Sequence, residues 1–188
     1  MVTAHKSRLR DKYLSAEVSA APAPWRRVFD GPRPVGGLLG AGFAVRPEDG
    51  RDLLLVVSHD GYGLFDTVTG ERVARERTPD PADDDDLVRH GIGPVAAEPV
   101  RIAGLFGGGL HTGTGDGWSV EVVAPGWPDQ RVILSSDGGQ HSGSPGGTWW
   151  HVRHVDHAEL RAAGFAPSGE TFVVATSADV SLWTRARA

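Results

Sequence analysis

Cysteine is absent, which rules out disulfides, thiolate metal centres and cysteine nucleophiles. Lysine is nearly absent: Lys6 and Lys12 are the whole supply. The glycine-rich stretch 104–117 (GLFGGGLHTGTGDG) therefore lacks the Gly-Lys-Ser/Thr ending of a phosphate loop, and no helix is signalled behind it. No apolar run approaches the roughly 20 residues of a membrane span. Basic residues near the start (Lys6, Arg8, Arg10, Lys12) have no apolar stretch after them, which predicts no secretory signal. Hydrolase signatures are missing too. Ser58-His59-Asp60 are neighbours in a turn, whereas a catalytic triad is assembled across the fold by geometry. Gly143-Ser144-Pro145-Gly146 carries proline where a nucleophile elbow needs a strand-to-helix turn. A net charge of −5 makes a nucleic-acid partner a poor expectation.

Glycine and proline are plentiful, 26 and 13 residues, and they fall between short apolar runs, the pattern of short strands joined by turns. The richness in Ala, Arg, Gly, Pro and Val fits coding bias in a high-GC bacterial genome. In 188 residues this predicts one all-β domain at 35–188, preceded by a helix and arm at 1–34. The helix is expected over Arg8–Ala20, with Leu9, Tyr13, Leu14 and Val18 on one stripe, ended by Pro22 and Pro24. The arm, through Trp25 and Phe29, is read as a strap packing on the main domain; a detachable basic helix is the rival reading. A four-strand antiparallel meander follows at Leu38–Val45, Asp52–Val57, Gly61–Phe65 and Glu71–Glu76, turned at Asp60-Gly61 and Thr69-Gly70. Thr78–Glu98 is expected to be a loop, and its run Asp83–Asp86 lacks the alternate spacing of a calcium loop.

The meander recurs. Blade-like units are expected near 38–77, 100–136 and 148–187, with Gly42, Gly104 and Gly164 as corresponding glycines about 60 residues apart. The unit Gly164–Trp183 places a Gly-Phe-Ala-Pro strand, a Ser-Gly turn, Phe-Val-Val-Ala-Thr-Ser and Val-Ser-Leu-Trp in order, and Leu53–Val73 follows the same plan. These residues resemble WD40-like β-propeller repeats. The resemblance implies four-stranded antiparallel blades in a small or incomplete propeller, and a scaffold that binds other molecules. The same strands would also serve an irregular β-sandwich.

Histidines are the first candidates for chemistry. In a regular strand, HVRHVDH at 151–157 puts His151 and His157 on one face and His154 on the other, so the spacing by itself gathers no metal site. No cofactor and no metal are expected. Trp127, in Pro-Gly-Trp-Pro-Asp, sits on a turn outside any strand pattern and has two readings, a lid on a nearby hydrophobic patch or a rigid anchor for a partner. His111, His141 and Asp116, in glycine-rich loops, join it as candidate binding residues. The sequence reading is thus a non-enzymatic, cytoplasmic protein-binding module, an inhibitor or adaptor of a partner protein. Two alternatives stand beside it: a metal-dependent enzyme or metal-binding protein using His111, His141, His151 and His154, and a structural subunit of an oligomeric ring.

Overall fold

The computed structural model describes residues 2–79 and 87–186. The run Asp83–Asp86 lies outside the described residues. The chain is all-β, built of antiparallel sheets compatible with a propeller-like repeat fold.

A helix, α1 (Val2–Ser15), opens the chain. Two short strands of the arm follow, β1 (Arg26–Arg27) and β2 (Arg33–Pro34). The first meander is β3 (Leu38–Val45), β4 (Asp52–Ser58), β5 (Gly61–Asp66) and β6 (Arg72–Glu76), paired in that order. A hairpin of β7 (Val88–His90) and β8 (Pro99–Arg101) leads to β9 (Ala103–Gly104). The middle sheet is β10 (Trp118–Gly126), β11 (Asp129–Ser136) and β12 (Trp149–Val155), with the short helix α2 (Gly139–Ser142) between the last two. The third meander is β13 (Leu160–Phe165), β14 (Thr171–Thr176) and β15 (Asp179–Thr184).

The C-terminal meander lies at the centre of the stack. Val173, Ala175, Val180 and Leu182 meet Leu54, Val56 and Leu38 of the first meander in one core. On the opposite face Phe172, Val174 and Trp183 meet Val120, Val132, Leu134 and Val152 of the middle sheet in a second. Strands buried on both faces account for the unbroken apolar runs Leu53–Val57 and Phe172–Ala175. The two end sheets would each leave an apolar face in water. Val95, Val100 and Ile102 of the hairpin region cover Leu53, Leu55, Val57 and Leu64. Tyr13, Ala16 and Leu9 of α1 and the turn after it cover Ile133 and Trp149. The stack is therefore hairpin, sheet, sheet, sheet, helix.

The arm packs on the domain as a strap: β1 and β2 both pair with β15 and supply the fourth strand of its sheet, while Trp25 and Phe29 are buried in the two central cores. Three expectations change. Thr78–Glu98 is not loop throughout, since β7 within it pairs with β8. The helix runs Val2–Ser15 and stops well short of Pro22, because the carbonyl of Ala16 is captured by the sheet beneath; of its supposed stripe, Leu14 and Val18 stay exposed. Finally, the stretch from Val100 begins no blade. β9 adds to the first meander through Gly40↔Gly104, so Gly104 does not correspond to Gly42. The middle sheet instead takes Trp149–Val155 as its third strand. The close approach of β9 requires the glycine: a Cβ on Gly104 would lie 2.1 Å from the Leu39 carbonyl oxygen.

Candidate interaction surface

Trp127 lies at the tip of the β10–β11 hairpin, where Gly126 pairs with Asp129. It is 80% exposed, the most exposed large apolar side chain among the described residues. Burying apolar area is the main drive of folding, and an indole left in water on a two-strand support is one the fold does not use. Beside it stands α1. Leu14, 39% exposed, lies against Gly126, where an added Cβ would come 3.2 Å from its Cδ2. Arg10 Nε donates to the Pro125 carbonyl at 2.7 Å. The helix therefore touches the end of β10 that leads into the tip.

Polar contacts add to the apolar packing that holds the helix there. Lys12 Nζ donates to the Gly143 carbonyl at 2.6 Å, and the Tyr13 hydroxyl donates to the Gln140 carbonyl at 3.1 Å. Burial, with the charge of Glu121 behind it, raises the Tyr13 pKa above its usual value. Gln140 is buried; its side-chain NH₂ donates to Glu121, and its side-chain Oε1, distinct from the backbone oxygen that Tyr13 reaches, accepts from Ser135 Oγ at 2.6 Å. These bonds fix α2 against β10 and β11 and give α1 its seat.

His141 is 67% exposed on α2, with Nε2 3.9 Å from Glu121 Oε1. His111 is exposed beside β13, joined by a backbone bridge to Phe165. Asp116 stands in the turn before β10, where its carboxylate accepts from Arg185 and from Thr114 Oγ1. Those bonds hold its carboxyl down at a pKa of about 2. Arg185 in turn lies over the Trp25 ring, 5.1 Å from its centroid, so this ion pair closes the end of the central core. Asp116 and Trp127 flank opposite ends of β10, roughly 30 Å apart at ~3.3 Å per residue, and do not share one site.

The histidine arrangement differs from the regular-strand expectation. Val132 pairs with Arg153 and Ile133 with His151, so Val152 is an extra residue, a β-bulge. One inserted residue shifts the alternation, and His151 and His154 come to the same face with ring centroids 5.7 Å apart. His157 falls beyond the strand and is 92% exposed. His151 is buried, and its Nδ1–H donates to the Ala16 carbonyl at 2.9 Å. Arg131 Nη1 donates to the same carbonyl at 2.9 Å, so two donors converge on one oxygen. Burial, followed by the neighbouring charges of Arg131 and His154, holds the His151 pKa below the ordinary imidazole value. Among the described residues no group of three or more His, Asp or Glu is placed to hold a metal ion. In the Ser58-His59-Asp60 turn the serine hydroxyl is spent on the Gly61 carbonyl at 2.9 Å.

Sequence reading missed Arg185 and Arg131, whose partners lie 69 and 115 residues away. Only the tertiary fold brings them together. The seat of α1 did leave a trace, in the cluster of basic residues from Lys6 to Lys12. No protein-family model, curated protein or solved structure matches the chain. No helix among the described residues is long and apolar enough to cross a membrane.

Proposed function

We propose that the chain is a non-enzymatic protein-binding module whose partner docks on the β10–β11 tip at Trp127. The kinship with WD40-like propeller repeats, the cytoplasmic setting and a role as adaptor or inhibitor belong to this reading. The observation that carries it is the indole of Trp127, 80% exposed on a hairpin tip beside α1. Rigid aromatic side chains of this kind dominate binding energy at interfaces, because they bury large area at small entropic cost. Tip residues on a sheet scaffold hold their place without help from the partner, which keeps the ordering cost of binding low.

The test is capture of partners from the native cell by tagged chain, with Trp127→Ala alongside. Trp127 makes little of the core, so the substitution is expected to change unfolding free energy by no more than about 0.5 kcal/mol. A stoichiometric partner retained by the native chain and lost by the variant is the expected result. The reading fails if no such partner appears, or if the variant holds it equally well.

A further inference from the structure

Between α1 and β10 runs an open groove of about 480 Å³. Leu9, Tyr13, Val123 and Pro125 give it apolar walls, and Lys6 and Arg10 stand along it. Pro125, at the end of the groove, stands two residues before Trp127 at the β10–β11 tip. Resting on the reading of Trp127 as an anchor, we propose that this groove takes an acidic peptide segment of the partner, with Trp127 against an apolar residue of that segment.

Charge decides the partner's chemistry. α1 carries Lys6, Arg8, Arg10 and Lys12 against the single acid Asp11, while the chain as a whole carries −5. A local cationic face attracts anionic groups and steers a complementary anionic segment to one place. Arg10 is already oriented: its Nε is bound to the Pro125 carbonyl, so the terminal guanidinium nitrogens are left for carboxylates. A volume of this size takes a few side chains. An anionic lipid surface is a poorer fit. Interfacial helices bury a full apolar face in the bilayer, whereas Tyr13 and Ala16, with Leu9 packed against them, are already committed to the middle sheet.

The probe is a fluorescein-labelled short peptide of alternating Glu and Gly with one central Phe, titrated into the intact chain and followed by anisotropy. Two further peptides replace every Glu by Gln or the Phe by Gly, and phosphatidylserine vesicles form a separate arm. Saturable binding is expected, weakening about tenfold for the Gln peptide and for Lys6→Glu, and about tenfold for the Gly peptide and for Trp127→Ala. Arg8→Glu, on the helix but outside the groove, is expected to weaken it distinctly less than Lys6→Glu. Affinity is expected to fall as salt rises from about 50 mM to about 500 mM. Lys6 is exposed, so retained thermal unfolding of Lys6→Glu separates lost binding from lost fold. Equal binding of the Gln peptide, equal effects of Lys6→Glu and Arg8→Glu, absence of binding, or binding to vesicles alone each overturns the proposal. A captured partner that depends on Trp127 but not on Lys6 leaves the module reading standing and removes the acidic segment. Loss of the module reading instead shows as the absence of any Trp127-dependent partner.

Discussion

At the scale of single residues, His151 is the group whose chemistry the fold constrains most. Its Nδ1–H is committed to Ala16, its Nε2 is buried without a hydrogen-bond partner, and Arg131 Nη1 stands 3.3 Å from Nδ1. A second proton would place a charge in this setting, beside Arg131 and the ring of His154; Asp129 and Asp156 each lie 3.9 Å from Nε2 of His154. The folded pKa is therefore lowered, and the unfolded chain takes up protons that the folded chain refuses. The stability linked to this group is complete above the ordinary imidazole value of 6.5 and is lost as the pH falls below it toward the folded value. Urea unfolding of the native chain and of His151→Gln, compared at several pH values from about 8 to about 5, reads this directly. The native chain is expected to lose more stability over that interval than the variant; equal slopes would show that His151 does not carry the effect.

At the scale of elements, the informative pieces are those that join a sheet from far along the chain. β9 lies against β3 at Gly40 and Gly104, and the backbones approach too closely for a side chain at either point: a Cβ on Gly40 would lie 2.8 Å from the Ala103 carbonyl oxygen. Gly104→Ala is expected to push β9 off β3 and destabilise the chain by roughly 1–3 kcal/mol, the usual penalty for overpacking, measured by chemical denaturation. Retention of full stability would mean that β9 contributes little to the sheet. α1 is a contrasting element. Its seat is made of backbone carbonyls offered by Pro125, Gln140 and Gly143 to Arg10, Lys12 and Tyr13, with a small apolar contact around Tyr13 and Trp149. A helix of low apolar content can cap a sheet face in this way because the bonds satisfy polar groups of α2 and its flanking turns that would otherwise be left over.

At the scale of the whole molecule, stability rests on the aromatic cluster between the central and middle sheets. Phe172 stacks on Trp183 with centroids 4.6 Å apart, and Trp25 meets it edge-on at 5.1 Å. Trp25 comes from the arm, Phe172 and Trp183 from the C-terminal meander, and Val120 and Val132 from the middle sheet, so one cluster ties both ends of the chain to its centre. Phe172→Ala is expected to cost about 3–5 kcal/mol. Because the arm supplies the outer strands of the same sheet, near-ultraviolet dichroism and far-ultraviolet dichroism are expected to be lost together on heating. Separate transitions would show that the arm and sheet unfold independently.

Much of the secondary structure was legible from the chain itself. The strand Leu38–Val45 matches its expected bounds, and the turns at Asp60-Gly61 and Thr69-Gly70 lie where glycine takes φ of +100° and +75°. Turn chemistry and apolar periodicity are local properties, so local sequence carries them. For Trp127 the Pro-Gly-Trp-Pro-Asp context signalled a turn, but whether the indole covers an apolar patch or stands in water was decided by the fold, which leaves it 80% exposed. The histidine face did not show locally: one bulged residue at Val152 reverses the alternation, and nothing in HVRHVDH marks it. Nor did the assignment of strands to sheets. The echo of Gly42 in Gly104 pointed to a repeat, whereas the pairing of Gly104 with Gly40 places both in one sheet. By itself, then, the sequence determined an all-β chain and most of its strands and turns. Tertiary structure alone decided that the arm completes the C-terminal sheet, that helix and hairpin cap the two ends, and that Arg10 of α1 is bonded to Pro125, two residues before Trp127. The physical reason is that pairing and capping satisfy backbone groups and apolar faces between segments far apart in sequence, where many partners are chemically equivalent and only the packing of the complete stack selects among them.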